Sequence, residues 1–402
     1  MNKITAPREV LVIMEKLRRA GHGAYLVGGC VRDSLLGKTP HDYDVTTDAS
    51  PDRMKEVFRD DRTVETGIRH GTLTVISEGV PVEVTSFRID GEYRDGRRPE
   101  SVSFTTDIAL DLSRRDFTVN AMAYSEESGL IDLFSGVRHL EEKKIVTVGD
   151  PDDRFSEDGL RVLRALRFAS CLDFTVGEET AEAVRRSVPL LLRVSAERIR
   201  TELMKLLAGP GAERIARDFS GVVGASAGVS ADAAAKAAGL FGKTEPDPLT
   251  RLALIYLSAG LSPREAGEKA AALKPSRAEK DAVVSALSAA SAPMPTATPA
   301  VRRLVGGAGL GTVRRAAEIR SATGDPDAEK TARLAEEIVR RGDPVKISDL
   351  TVGGKEMIDA LGVEGEKIGE ILSRLLFLVT EDEVKNEPGE LLAAAKQIIE
   401  KN

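Results

Sequence analysis

The hydrophobic and polar positions of the chain follow two different patterns, one before and one after about residue 150. Between Ala24 and Val148, short β-branched or alternating apolar runs stand between turn residues, which is typical of strands: AYLVGG, GTLTVIS and PVEVTSFRI. From Asp153 onward strand signals nearly vanish, and helical periodicity rich in Ala and Leu continues to the end. The pattern therefore predicts an α+β domain followed by an all-helical remainder.

The N-terminal segment predicts an amphipathic helix, because its apolar side chains recur at helical spacing: Val10, Ile13, Met14 and Leu17. This segment lacks the long apolar core of a secretion signal. No part of the sequence approaches the ~20 apolar residues that a membrane helix needs. We therefore expect a cytoplasmic protein with no membrane partner.

Composition narrows the class of protein. A chain of 402 residues is long enough for about two to four domains. Aromatic residues make up only 4%, so base stacking on aromatic side chains cannot be a main binding mode. Cys30 and Cys171 match no metal-ligand spacing and suit a reducing compartment. The four histidines form no HExxH motif and only one HD pair, His41–Asp42, with no second histidine near it in the sequence, which disfavours a zinc or histidine-metal hydrolase.

The net charge of −7 by itself argues against a nucleic-acid partner. Residues 321–402, however, hold 11 Lys/Arg and 18 Asp/Glu, so the whole acidic excess belongs to the C-terminal part. The preceding part is neutral overall and contains arginine clusters that can meet phosphates. Nucleic-acid binding therefore remains open for it.

The stretch from Leu26 to Thr47, LVGGCVRDSLLGKTPHDYDVTT, contains several residues of types that bind phosphates or metal ions. A strand that ends in Gly28 and Gly29 and leads into a helix leaves bare backbone N–H groups where a phosphate can approach. Arg32 could add a bidentate contact. The alternative is a tight turn that needs glycine for its backbone angles alone.

Two carboxylates follow in the same stretch. Asp42 and Asp44 point to the same side if their segment is extended, and Mg²⁺ prefers such paired oxygen ligands. The alternative is a solvated acidic turn. Glu83, on a neighbouring predicted strand, could be a third carboxylate near the ions or simply an exposed strand residue.

These motifs resemble the tRNA nucleotidyltransferase family, which comprises bacterial class II CCA-adding enzymes and poly(A) polymerases among the polymerase-β-type nucleotidyltransferases. Further segments match in the family's order: TGIRHGTLTV, DGEYRDGRRPESVSF, DLSRRDFTVNAMAY, GLIDLFSGVRHL, RFSEDGLRVLRALRFA, SAERIRTEL, LGVEGEKIGEILSRLLFLV and KNEPGELL. The resemblance covers about residues 20–210 closely and 345–400 more loosely. The absence of histidine beyond His139 excludes the histidine-metal phosphohydrolase domain that some relatives carry.

The resemblance implies an α+β fold with a polymerase-β-type head domain followed by an all-helical neck, body and tail. The expected bounds are 1–148 for the catalytic head, 149–210 for the neck, 211–320 for the body and 321–402 for the tail. Asp42 and Asp44 would be catalytic and hold two Mg²⁺ ions. Gly28, Gly29 and Arg32 would cradle the triphosphate.

The motif RRDFTVNAMAY implies three further nucleotide contacts. Arg115 would meet the phosphates, while Asp116 and Asn120 would recognise the ribose hydroxyls. Their spacing of four places the last two on one face of a helix. A helix start with solvated arginines would explain Asp116 but not Asn120.

The motif EDGLRVLRALRFA predicts base selection, because Asp158 and Arg161 lie one helical turn apart and present an acceptor beside donors. Cytosine and adenine show an amino donor next to a ring-nitrogen acceptor, whereas uracil and guanine show a carbonyl acceptor next to a ring N–H donor. Arg164 and Arg167 would extend this face toward the nucleotide or the RNA end, or form a solvated basic stripe. The segment 90–101 resembles the family's flexible loop, which would change the pocket between C and A addition.

The function implied is template-independent addition of CCA to tRNA from CTP and ATP, with release of pyrophosphate. The tail would contact the tRNA elbow, although its acidity equally favours a packed helical hairpin. The alternatives are an A-adding or CC-adding enzyme with a separate partner, a poly(A) polymerase, a small-molecule nucleotidyltransferase, and a catalytically inert tRNA-binding protein.

Overall fold

The computed structural model describes residues 4–91 and 102–400. The chain divides into two compact units, Met1–Asp232 and Ala233–Asn402. Residues 92–101, which make up most of the expected flexible loop, lie outside the described residues. None of the helices in the described ranges is long and apolar enough to cross a membrane.

A seven-stranded mixed sheet forms the centre of the first unit. The strands of this unit are β1 (Ala24–Val27), β2 (Asp44–Thr47), β3 (Arg62–Val64), β4 (Thr72–Ser77), β5 (Val80–Ser86), β6 (Arg88–Asp90), β7 (Val102–Phe104), β8 (Met122–Ser125), β9 (Gly129–Asp132), β10 (Lys144–Ile145) and β11 (Thr175–Val176). The strand order in the large sheet is β3-β4-β5-β2-β1-β8-β9. Strands β2 and β5 are parallel, and the other neighbours are antiparallel.

The first helices of this unit alternate with the strands of the sheet, and the later ones follow the sheet in the chain. They are α1 (Arg8–Arg19), α2 (Gly29–Leu35), α3 (Pro51–Val57), α4 (Ile108–Ser113), α5 (Gly136–Glu141), α6 (Pro151–Glu157), α7 (Leu160–Leu172), α8 (Glu178–Arg186), α9 (Ala196–Ala208), α10 (Ala212–Asp218) and α11 (Ser220–Ala227). The predicted amphipathic helix is α1, and its four predicted apolar residues are buried. Short 3-10 turns cover Ile68–His70, Thr118–Asn120 and Val188–Arg193.

Helix α7 presents its arginines on one face, because almost all of its apolar side chains are buried on the others. It packs against α9. Gly159 precedes α7 and touches the Val188–Arg193 turn so closely that a Cβ there would lie 2.8 Å from the carbonyl oxygen of Leu190. Glycine is therefore required at this contact.

The described part of the second unit is helical, and its first helix begins two residues before the unit boundary. The helices are α12 (Ala231–Phe241), α13 (Pro248–Ser258), α14 (Pro263–Ala272), α15 (Arg277–Ala289), α16 (Thr298–Ala308), α17 (Leu310–Ala322), α18 (Ala328–Arg341), α19 (Gly354–Leu361), α20 (Glu366–Thr380) and α21 (Pro388–Glu400), with a 3-10 turn at Ile347–Asp349. A glycine-containing turn joins α19 to α20, and both Gly362 and Gly365 have positive φ there. The last three helices share a buried core around Met357, Leu375 and Leu391.

Candidate active site

The turn between β1 and α2 is built from glycine and lies beside an arginine. Gly28 has φ +76° and ψ −127°, a conformation that side chains disfavour. A Cβ at Gly28 would also lie 3.1 Å from Nη1 of Arg115. Gly28 and Gly29 therefore keep the start of α2 bare next to a guanidinium group, which is the arrangement that a phosphate cradle needs.

Three carboxylates gather where β2 begins. Asp44 is the first residue of that strand, and it pairs in register with Glu83 on β5. Asp42 lies in the connection two residues before β2, so only the second of the two aspartates belongs to a hydrogen-bonded strand. The reason is that strand pairing with β1 and β5 starts only at Asp44.

These carboxylates repel one another. Burial, followed by the charges of Glu83 and Asp42, raises the pKa of Asp44 to about 6, although Arg115 opposes the rise. Asp44 nevertheless keeps a solvent-exposed surface. A cation can therefore reach this carboxylate and relieve the repulsion.

The donor set fits a divalent cation that arrives with a substrate. Within residues 4–91 and 102–400, no group of three or more His, Cys, Asp or Glu side chains is arranged to hold a metal ion by itself. Mg²⁺, however, usually takes one or two carboxylates together with substrate phosphates. Asp44 lies beside the glycine turn, because it pairs in register with Val27 just before that turn, and together with Asp42 it offers that set.

A buried aspartate that the sequence analysis missed holds both arginines of the RR motif. Asp111 is fully buried and accepts hydrogen bonds from Nε and Nη2 of Arg114 at 3.0 and 2.7 Å. It also accepts one from Nη2 of Arg115 at 3.4 Å. Burial lowers the pKa of Arg115, and the charge of Asp111 opposes that change. The D-x-x-R-R spacing, with arginines at i+3 and i+4, is the signal that could have identified it.

Asp116 and Asn120 meet, although not on one face of an α-helix as predicted. Asp116 is not helical, and Asn120 ends the Thr118–Asn120 3-10 turn. Tertiary pairing prevents the helix, because the N–H of Thr118 donates to the carbonyl of Val146 at 2.9 Å. The N–H of Val148 likewise donates to the carbonyl of Asp116 at 3.1 Å. These bonds pair residues 116–118 with residues 146–148, so this part of the backbone cannot form an α-helix.

Their side chains form a continuous chain of hydrogen bonds. Nδ2 of Asn120 donates to Oδ1 of Asp116 at 3.3 Å, and Nη1 of Arg32 donates to Oδ1 of Asn120 at 2.7 Å. Nε of Arg164 donates to Oδ2 of Asp116 at 2.9 Å. Burial alone would raise the pKa of Asp116, but the Arg164 guanidinium holds it below the usual range. The glycine turn and α7 are thereby linked.

Three arginines surround one aromatic ring at this link. The guanidinium carbons of Arg32, Arg164 and Arg167 lie 5.4, 5.3 and 3.6 Å from the centroid of the Phe168 ring. Nε of Arg167 also lies 2.7 Å from Oε2 of Glu202. Arg164 and Arg167 are therefore half-buried and partnered, not a freely solvated stripe.

Asp158 and Arg161 are each held by another residue. Asp158 has an extended backbone and precedes α7, so it does not lie within the helix that carries Arg161. Its carbonyl nevertheless accepts the N–H of Arg161 at 2.9 Å, which closes the one turn that the spacing predicts. Oδ1 of Asp158 also accepts the N–H of Leu160 at 3.0 Å and so starts α7. The carboxylate of Asp158 pairs with Arg198, and Arg161 donates to Glu157.

Comparison with known proteins agrees with this architecture. Residues 24–146 match the model of the poly A polymerase head domain, and residues 173–219 match a probable RNA and SrmB-binding site of polymerase A. Residues 250–395 match a putative domain 2 of tRNA nucleotidyltransferase. The CCA-adding enzyme of Limosilactobacillus reuteri is 34% identical over 396 residues, which cover 96% of this chain and 95% of that protein. The chain belongs to the CCA-adding enzyme family.

Other family members show how the similarity is distributed. The CCA-adding enzyme of Levilactobacillus brevis is 48% identical over 197 residues, about half the length of each protein (49% of both). The crystal structure of the Bacillus stearothermophilus CCA-adding enzyme in complex with CTP superposes with a TM-score of 0.82 at 30% identity, covering 99% of each chain. The family resemblance and the fold, an α+β head followed by helices, are thereby confirmed.

Proposed function

We propose that this chain adds the 3′-terminal CCA to tRNA from CTP and ATP and releases pyrophosphate. As a member of the CCA-adding enzyme family, the chain is a nucleotidyltransferase. The observation that carries the proposal is the group of Asp42, Asp44 and Glu83, which lies open to solvent where the sheet meets the glycine turn. A related enzyme of known structure has CTP bound.

Nucleotidyltransferases of the polymerase class use divalent metal ions, and we propose Mg²⁺ held by Asp42 and Asp44. Glu83 would be the third carboxylate, because it pairs in register with Asp44. When bound, the ions would lower the pKa of the attacking 3′-hydroxyl and stabilise the charge on pyrophosphate. The chain itself brings these carboxylates together before any ligand arrives.

The remaining predicted residues would orient the nucleotide. Gly28 and Gly29 would give the triphosphate access to backbone N–H groups, with Arg32 and Arg115 as its cationic contacts. Asp116 would accept from the ribose hydroxyls in place of one of its present donors, which are Asn120 and the N–H of Phe117 on Oδ1 and Arg164 on Oδ2. Its link through Asn120 to Arg32 supports a concerted placement of sugar and phosphate, because the same hydrogen-bond chain holds all three side chains.

Asp158 and Arg161 would select the base by accepting from its amino group and donating to its ring nitrogen. Arg164 and Arg167 would steady this face through Asp116 and Glu202. In this proposal residues 1–148 are the catalytic head, 149–210 the neck, 211–320 the body and 321–402 the tail that contacts the tRNA elbow. The cytoplasm would be the site of action.

The decisive assay supplies purified protein with three RNAs and each nucleoside triphosphate singly. The RNAs are tRNA lacking CCA, tRNA lacking only the terminal A, and an unrelated RNA. CMP addition to the first and AMP addition to the second would support CCA addition. AMP addition only to the second RNA would make the chain an A-adding enzyme. Long AMP runs on all three would indicate a poly(A) polymerase, in line with its head-domain similarity.

Three single substitutions test the carboxylate assignment. Asp42→Asn and Asp44→Asn should each lower the rate of incorporation by on the order of 100-fold or more, because each removes a metal-binding charge. Asp52→Asn is a matched control, since Asp52 is exposed in the first turn of α3. Full activity of both active-site variants would mean that these aspartates are not the metal ligands.

A further inference from the structure

Asp158 has a partner on α9, in a motif that the sequence analysis did not connect with base selection. Nη2 of Arg198 donates to Oδ2 of Asp158 at 2.6 Å, and Nη1 donates to Oδ1 at 3.2 Å. Two parallel hydrogen bonds from one guanidinium fix the plane of a carboxylate as well as its position. The orientation of Asp158 therefore depends on a residue 40 positions away in the sequence.

These bonds also decide which oxygen of Asp158 is open to a ligand. Oδ1 accepts from Arg198 and from the backbone N–H of Leu160. Because a carboxylate oxygen has about two favourable acceptor directions, these two donors occupy Oδ1. Among the described residues Oδ2 accepts from Arg198 and keeps its other direction for a ligand.

Arg161 is held separately from Asp158. Its guanidinium donates to Glu157, to the carbonyl of Arg154 at 3.1 Å and to the carbonyl of Arg114 at 3.3 Å. An acceptor and a donor are thus each fixed by a partner of their own. A base can meet both groups without first breaking an ion pair between them.

We propose that Arg198 is a positioning residue that sets base selection by holding Oδ2 of Asp158 toward the nucleotide. This inference rests on the proposed function, in which Asp158 accepts a hydrogen bond from the amino group of cytosine or adenine. A base with a carbonyl in that position leaves the fixed carboxylate without a donor and is rejected. Without Arg198 the carboxylate can rotate and admit a bridging water, so uracil and guanine are tolerated.

The test measures kcat and KM for CTP, ATP, UTP and GTP on tRNA lacking CCA and on tRNA lacking only A. Arg198→Gln should raise UMP relative to CMP incorporation, and GMP relative to AMP incorporation, by on the order of 10- to 100-fold. Arg198→Lys keeps the charge but loses the guanidinium that makes two parallel hydrogen bonds. Its UMP/CMP and GMP/AMP incorporation ratios should therefore fall between those of Arg198→Gln and the unaltered protein. Most of the change should come from a higher KM for CTP and ATP.

A control on the same helix separates selectivity from general damage. Lys205→Ala removes an exposed cation two turns further along α9 and should leave all four ratios unchanged. If Arg198→Lys and Arg198→Gln lose kcat equally with every nucleotide and keep the unaltered ratios, Arg198 only supports the fold and the inference is wrong. If Arg198→Gln does not fold, the ratios of Arg198→Lys decide.

The failure of the proposed function would look different. In that case the unaltered protein itself would add no nucleotide to either tRNA, or would add UMP as readily as CMP. A selective unaltered protein whose Arg198 variants stay equally selective contradicts only the role of Arg198.

Discussion

Asp111→Asn is the substitution that most directly tests how the head domain holds its arginines. Asparagine keeps the shape of the side chain but removes the charge that Arg114 and Arg115 share. Asp111 is fully buried, and its two short hydrogen bonds to Arg114 count most, because the contacts with Arg115 and with the Thr46 hydroxyl are 3.4 Å long. Breaking one side of a buried ion pair costs about 3–5 kcal/mol. We expect about 3 kcal/mol, the lower end of that range, because the contacts with Arg115, Thr46 and the backbone N–H of Arg88 are all 3.4 Å long.

The assay is thermal unfolding followed by circular dichroism, with hydrogen exchange to assign the loss to residues of the first unit. A loss of about 3 kcal/mol should lower Tm by roughly 6–12 °C for a unit of this size. Asp107→Asn is the matched control, because Asp107 caps α4 from an exposed position and asparagine caps equally well. A change in Tm for Asp111→Asn no larger than that of the control would refute the reasoning.

Four further substitutions probe other features through the free energy of unfolding. Tyr256→Phe should stabilise the protein by about 1 kcal/mol, because the buried hydroxyl finds no hydrogen-bond partner among the described residues; a lower Tm would contradict this. Burial lowers the pKa of His139 below its ordinary value of 6.5. The neutral imidazole therefore contributes stability that is fully present at pH values above 6.5 and is lost as the pH falls through the lower pKa of the folded state. His139→Gln should flatten that acid loss, and an unchanged pH profile would count against it. Gly159→Ala should destabilise by about 1–3 kcal/mol because its Cβ would meet the Leu190 carbonyl, whereas Gly239→Ala, with open space around it in α12, should stabilise by about 0.5–1 kcal/mol; equal effects would refute the clash.

Local patterns were sufficient for most elements. Strand β4 buries Leu73 and Val75 and leaves Thr72 and Thr74 partly exposed, as their alternation predicts, and α1 buries the apolar face that its spacing predicts. The glycine turn at Gly28 was also readable, since few other residues adopt its backbone angles. Such features depend on neighbours within a few residues, and sequence periodicity reports them directly.

The predicted helix through Asp116 and Asn120 shows where local reasoning fails. The spacing of four suggested one helical face, but backbone pairing with Val146 and Val148 holds this segment against a different part of the chain. The two side chains still touch. The contact was predicted for a reason that the structure does not bear out.

By itself the sequence determined the order of elements, the family and the types of residue that carry the chemistry. Only the tertiary structure decided which of them touch: Glu83 beside Asp44 through strand register, Asp111 under the two arginines, and Arg198 on Asp158. The physical reason is the distance along the chain over which each kind of interaction acts. Periodicity and turn preference act between near neighbours, whereas an ion pair forms between whichever charges the packed elements bring within a few ångströms.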